Sequence, residues 1–333
     1  MYSQVDQVQA EYVMQELIGE ESIACPSCKA KQLQCLGTIP ASNVFAGRRL
    51  DRILHGGALW RCTTCHLVFR YPRLPKQELD DLYSQGSVDN WNNSVETRAD
   101  WILTAKIIAS YAGVKRVLDV GCFDGKLLSY LDSSYEKLGV EIHEEAATRA
   151  EARNIRIIAR DIDELGKHRS VADAVLAMDV IEHAHDPFNF LALLAQAARP
   201  GGLVIVATGN ADSSSWRLMG SRYWYCNIAE HISFINKDWA YKAADALRLE
   251  VISVQTFSHG DHTLKLGMRF RQVLLNLFYR FSPWLFSKVR QIHSCPDVEC
   301  YPVLLERPPS WMAARDHILV VFRKRDSDNS DPG

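Results

Sequence analysis

Two groups of residues in this chain have the types and spacing to do chemistry. Cys25-Pro-Ser-Cys28 and Cys62-Thr-Thr-Cys65 are two Cys-x-x-Cys pairs within the first 65 residues. Each pair can set two thiolates on one face of a turn, and two pairs complete a tetrahedral zinc site. Four sulfur ligands leave no open position, so such a zinc is structural. The competing reading is two redox or incidental cysteine pairs. The second group is Glu230-His231. An imidazole titrates near neutral pH, and an adjacent carboxylate can orient it or raise its pKa, so His231 is the base candidate and Glu230 its partner. The alternative role for His231 is structural, capping a helix that starts near Asn236 or bracing its loop. His183 is a weaker candidate for substrate contact.

These groups need elements to position them. The stretch Val117-Leu118-Asp119-Val120-Gly121-Cys122-Phe123-Asp124-Gly125-Lys126-Leu127-Leu128 reads as a buried strand, a tight loop and a helix start. Glycines there let a ligand approach the backbone closely. Further strands are expected at 116–120, 137–141, 155–159, 174–178 and 203–207, with a helix over 144–152. Alternating strands and helices indicate an α/β fold, a doubly wound sheet that binds ligands beyond the carboxyl ends of its strands. Residues 317–322 read as a last, antiparallel strand.

The sequence divides into an amino-terminal helix (1–20), a zinc-binding module resembling a zinc ribbon (21–75), linker helices (76–112), the sheet core (113–260), a helical insertion (261–313), the last strand (314–325) and a disordered tail (326–333). A helix is expected over 95–111 and a loop over 90–93. Within the insertion, residues 264–293 carry Lys265, Arg269, Arg271, Arg280, Lys288 and Arg290, no acidic residue, and many aromatics. Pro283 should split it into two helices. A basic, aromatic hairpin of this kind can lie on an anionic membrane, cover the active site or form a dimer contact.

Composition narrows the function classes. The 333 residues are 47% hydrophobic and 23% charged, with a net charge of −2. This is globular composition, and the near-neutral balance argues against nucleic acid as partner. No secretory leader opens the chain and no apolar run is long enough to span a bilayer, so the expected location is cytoplasmic, with membrane association through 265–293 left open. Most of the nine cysteines would then be reduced or metal-bound. Cys35, Cys122, Cys226, Cys295 and Cys300 are expected as small buried hydrophobes, and the same setting disfavours a disulfide between Cys295 and Cys300.

The glycine loop resembles the first motif of class I S-adenosylmethionine-dependent methyltransferases. Glu141, Arg160-Asp161-Ile162, Met178-Asp179-Val180-Ile181-Glu182-His183 and Arg199-Pro200-Gly201-Gly202 follow in the order of that family, over residues 90 to 260. The resemblance implies a Rossmann-like methyltransferase sheet binding S-adenosylmethionine through Asp119, Gly121, Cys122, Phe123 and Gly125. Glu141 would take the ribose hydroxyls and Asp161 the adenine amino group, with Ile142 and Ile162 sandwiching the ring. Met178, Asp179 and His183 would face the methionine moiety. One departure is Phe123, where the family often has glycine, and it implies a non-glycine backbone conformation there.

The knuckles, the 67–83 joint and the aromatic segment 215–234 resemble a subgroup acting on sugars. The implied reaction is methyl transfer to a sugar or glycan-type small molecule, nucleotide- or lipid-linked, with oxygen slightly favoured as acceptor. Competing readings are a sugar C-methyltransferase using a His/Glu base, an RNA methyltransferase with a zinc module, and a non-enzymatic scaffold. Tyr223, Trp224 and Tyr225 would stack on a sugar, close over the cofactor or pack the loop.

Overall fold

The computed structural model describes residues 23–85, 98–259, 265–292, 308, 309, 311 and 314–326. The helix expected over 1–20, the loop over 90–93, Cys295, Cys300 and the tail from 327 on lie outside them. A seven-stranded sheet forms the centre, in the order β12-β13-β10-β9-β6-β7-β8. Its strands are β6 (Arg116–Val120), β7 (Glu136–Val140), β8 (Arg156–Ala159), β9 (Ala172–Met178), β10 (Ala198–Gly209), β12 (Leu249–Phe257) and β13 (His317–Lys324). Strands β6 to β10 are parallel, and β13 runs antiparallel between β10 and β12. The chain departs in opposite directions from β6 and β9, so these neighbours form the switch point where such sheets bind ligands.

Parallel strands need cover on both faces, and their apolar runs supply it. Val117, Leu118 and Val120 of β6 are buried, as is every residue of β10 from Leu203 to Gly209. One face packs on α2 (Ala99–Ser110) and α3 (Lys126–Tyr130), the other on α5 (Pro187–Ala197) and α7 (Lys237–Ala246). Asp186 caps α5 by accepting from the amides of Phe188 and Asn189, with Pro187 at its first position, and Asn236 caps α7 through the Trp239 amide. These are preferred helix starts.

The cysteine-bearing segment shares a sheet and an apolar cluster with later parts of the chain. Strands β1 (Leu33–Ile39), β4 (Gly57–Cys62) and β5 (Val68–Tyr71) form an antiparallel sheet whose fourth strand, β11 (Ser233–Phe234), comes from beyond β10. Strands β2 (Ser42–Phe45) and β3 (Arg48–Leu54) make a side hairpin, and α1 (Lys76–Ser84) leads towards the core. Cys25, Cys62, Leu67 and Phe69 share one apolar cluster with Ile235, Trp239 and Ala240. The Trp239 indole donates to Ser27 Oγ at 3.0 Å, and Asn236 Nδ2 donates to the His66 carbonyl at 2.8 Å.

Several expected boundaries move. β9 starts two residues earlier, β10 extends to Ala198 and Gly209, and β7 ends at Val140, which leaves Glu141 just past the strand. Strands β11 and β12 were not anticipated. The insertion does split at Pro283, into α8 (Leu266–Phe281) and α9 (Pro283–Ile292). Cys122 and Cys226 are buried, whereas Cys35 is only half-buried because it sits on the outer β1 strand.

Candidate active site

A cavity of about 760 Å³ opens at the carboxyl edge of the parallel strands. Its wall contains residues expected from sequence: Asp119, Gly121, Cys122, Phe123, Glu141, Ile142, Asp161, Ile162, Met178, Asp179, His183 and His231. Gly125 and Glu230 are not among its lining residues. Gly125 instead holds the loop in shape at φ +78°, where an added Cβ would lie 2.2 Å from Ile155 Cδ1. Gly121, at φ +77°, leaves no room for a Cβ beside Val180, whose Cγ2 would be 2.6 Å away.

Phe123 corrects the expectation made for it. Its φ is +48°, so it adopts the left-handed conformation that glycine favours. Its amide donates to Glu141 Oε2 at 2.8 Å, while His143 N donates to Glu141 Oε1 at 2.8 Å. The buried carboxylate is thus fixed between two loops. Asp179 is likewise left-handed, at φ +54°. The two sites lie after β6 and β9, on either side of the switch point, and such backbone strain concentrates at ligand sites.

Each acid at the switch point keeps one oxygen without a hydrogen bond. Asp119 Oδ1 and Asp179 Oδ1 are buried with no hydrogen-bond partner among the described residues. Burial, reinforced by the charge of Glu141, pushes the Asp119 carboxyl well up. Asp179 is pushed up by burial, but the Arg98 guanidinium beside it more than offsets this and holds it low. Buried acceptors without donors are costly, so the cavity suits a ligand that brings positive charge and N–H or O–H donors. S-adenosylmethionine has both, as sulfonium, ammonium and ribose hydroxyls, and the residues present fit it.

At the other end of the cavity, His231 Nδ1 lies 3.0 Å from the Tyr225 carbonyl. A carbonyl only accepts, so Nδ1 carries the proton and Nε2 keeps its lone pair. Burial, with the charge of His183, pushes this imidazole's pKa well down, which favours its neutral form. His183 Nδ1 sits 3.0 Å from the Glu230 carbonyl and 2.7 Å from the Tyr83 hydroxyl. The expected pairing of Glu230 with His231 is not formed. Glu230 Oε1 accepts from the Ala46 amide at 3.0 Å, because the β2–β3 turn reaches it first. Nor does His231 cap α7, since Asn236 does.

The aromatic run divides by position. Tyr223 is wholly buried and packs on Trp216, whereas Trp224 and Tyr225 reach the cavity. The Tyr225 hydroxyl donates to Glu182 Oε1 at 2.5 Å, and Thr208 Oγ1 donates to Glu182 Oε2 at 2.7 Å. Burial, with the charge of Asp179, raises the Glu182 pKa.

Sequence reasoning missed Arg98, His259, His317 and Asp316. Arg98 bonds both Asp100 and Asp179. His317 Nδ1 lies 2.9 Å from Asp316 Oδ1, and Asp316 Oδ2 accepts from Tyr223 Oη at 2.5 Å. The antiparallel sense of β13 was the available signal, because it puts the first residue of that strand at the cavity edge.

The four cysteines expected to hold metal come together. Their sulfurs lie within 4.8 Å of one another, with Cys25 to Cys65 and Cys28 to Cys62 each at 3.5 Å. Zinc–sulfur bonds of about 2.3 Å give a tetrahedron with edges of about 3.8 Å, so the set fits. Both knuckles turn alike. Lys29 N and His66 N donate to the carbonyls of Cys25 and Cys62, and Lys29 and His66 have φ +60° and +66°.

Comparison with known proteins bears on the sheet core. Residues 96–254 match a family model described as a methyltransferase domain. A ubiquinone biosynthesis O-methyltransferase of Rhizobium etli is 35% identical over 107 residues, 28% of this chain and 41% of the relative. One of Escherichia coli is 32% identical over 124 residues, 33% of this chain and 50% of the relative. The chain thus spans half or less of the length of these curated relatives. Among solved structures, a SAM-dependent methyltransferase from Archaeoglobus fulgidus shares 16% identity at a TM-score of 0.45, over 75% of this chain and all of that one.

Proposed function

We propose that this chain, whose residues 96–254 match a methyltransferase domain model, is a class I S-adenosylmethionine-dependent enzyme that methylates a sugar or glycan-type small molecule, nucleotide- or lipid-linked, at a hydroxyl oxygen. The observation that carries this reading is the buried His231, its Nδ1 held by the Tyr225 carbonyl, which shares one cavity with the carboxyl groups of Asp119 and Asp179. The cofactor, when bound, supplies an electrophilic methyl group on a sulfonium. Glu141 would accept from its ribose hydroxyls, and Asp161 and Ile162 would border the adenine. Asp119 would receive the ammonium group.

The chain's own part in the reaction is alignment and proton removal. Trp224, half-buried at the cavity wall, would offer an aromatic face to a sugar. The Tyr225 carbonyl fixes the His231 tautomer, so that Nε2 takes the acceptor's proton as the oxygen attacks. The relatives' printed reaction, O-methylation, supports oxygen as the acceptor atom. Zinc on Cys25, Cys28, Cys62 and Cys65 belongs to this proposal as a structural ion, remote from the reaction.

Incubation with methyl-labelled S-adenosylmethionine and panels of nucleotide sugars and lipid-linked glycans tests the reading. Label should enter carbohydrate. His231→Asn should lower turnover by about 10²–10⁴-fold with cofactor affinity unchanged. Nuclease-sensitive label, or turnover untouched by His231→Asn, overturns it.

A further inference from the structure

The insertion leaves a surface that the sheet core does not use. Helices α8 and α9 dock by one edge, where Tyr279 and Phe286 are buried against the cluster of Trp216, Tyr223 and Tyr225. Arg222 Nη1 donates to the Arg280 carbonyl, and Arg280 Nε donates to the Leu218 carbonyl at 3.1 Å. No described residue of the hairpin lines the cavity.

The opposite face is apolar and open. Leu266, Phe270, Leu274 and Phe281 recur at helical spacing along one side of α8, and they are 83%, 62%, 50% and 79% exposed. Trp284, Leu285 and Val289 extend the patch on α9. By helical position Arg269 and Arg271 flank the α8 stripe, one on either side. Between Lys265 and Ile292 there are six basic residues and no acidic one, in a chain of net charge −2.

Apolar side chains with flanking cations are the two elements of interfacial binding, in which the rings enter the acyl boundary and the cations meet phosphate. A second copy of this chain would bring the same positive charges against themselves. No described helix is long and apolar enough to cross a membrane. We infer that the α8–α9 hairpin seats this protein on an anionic phospholipid surface, its long axis in the plane of the headgroups. The hairpin itself is anchored on the aromatic cluster that includes Tyr225. This inference does not depend on which acceptor is methylated.

The test is flotation of the full chain with vesicles of equal parts phosphatidylglycerol and phosphatidylcholine, beside pure phosphatidylcholine vesicles. Binding should favour the anionic vesicles by at least about 10-fold and weaken as salt is added. Two variants separate the contributions, Phe270→Ser with Trp284→Ser for the apolar side and Arg269→Glu with Arg271→Glu for the charge. Each should cut vesicle binding by about 10-fold or more, with S-adenosylmethionine affinity and melting temperature kept as checks on folding. Equal binding to both vesicle types, or none, overturns the inference. So does a dimer in sedimentation that these substitutions convert to monomer, because the face would then meet another copy.

Discussion

At the scale of single residues, the cavity sorts its ionisable groups by what stands beside them. Asp119 and Glu182 are held protonation-prone by burial, while Asp179 is kept ionised by Arg98. The pair Asp316–His317 has a measurable consequence. Burial lowers the His317 pKa, but the hydrogen bond and charge of Asp316 more than offset it, and the net shift is upward. Burial raises the Asp316 pKa, but His317 and the Tyr223 hydroxyl bring it below the ordinary carboxylate value. His317 therefore adds stability that is full below its unfolded pKa of about 6.5 and is lost as pH rises through its folded value. Asp316 adds stability above its unfolded pKa, lost as pH falls through its folded value. The buried His231 and His259, whose pKa values are lowered, act oppositely on acidification, so the variant comparison is needed. Asp316→Asn should lower the melting temperature most near pH 6 and remove the His317 contribution that wild type loses as pH rises above about 6.5. Thermal unfolding across pH reads this directly, and parallel wild-type and variant curves would contradict it.

At the scale of elements, the loop after β6 depends on glycine where space and backbone both demand it. Gly125→Ala combines a left-handed φ with a Cβ 2.2 Å from Ile155 Cδ1 and 3.2 Å from Ala150 Cβ. It should cost about 1–3 kcal/mol and lower the melting temperature by several degrees. Gly113→Ala, at φ +91° with nothing within 4 Å of its Cβ, isolates the backbone part and should cost less. Equal losses in differential scanning calorimetry would count against a packing role for Gly125. The loop was legible in sequence because its signal is local: an apolar strand, an acid, spaced glycines and a helix start. Glu141, Asp161 and Asp179 were legible for the same reason, each lying just beyond a strand. β11 escaped because two residues carry no period, and β12 because its edge position leaves it half-exposed, with a weak pattern. Arg98, His259 and His317 escaped because only the sheet order brings them beside Asp179. Glu230 misled because adjacency in sequence to His231 did not make its carboxylate face the imidazole.

At the scale of the whole molecule, the cysteine sheet and the seven-stranded core melt as one body if they share one interior, and Trp239 and Phe69 stand in that shared cluster. With zinc on the four thiolates, as proposed, chelation should lower the melting temperature by on the order of 10 °C in a single transition, with S-adenosylmethionine binding lost at the same temperature. Cys28→Ser with Cys65→Ser should reproduce the effect and remove the metal measured by elemental analysis. A metal-free protein with an unchanged transition would remove zinc from the account.

The strand β11 has one more consequence. Ile232, next to His231, donates its amide to the Glu182 carbonyl at 2.8 Å and accepts from the Arg70 amide at 3.0 Å, and Ser233 then pairs with Phe69. The base candidate is thereby sewn to the cysteine sheet by its own backbone. Whatever tightens one end of this seam restrains the other, and thermodynamic linkage makes the effect mutual. If the thiolates hold the proposed zinc, a bound acceptor that orders His231 would raise their affinity for it by the same factor that the ion raises affinity for the acceptor.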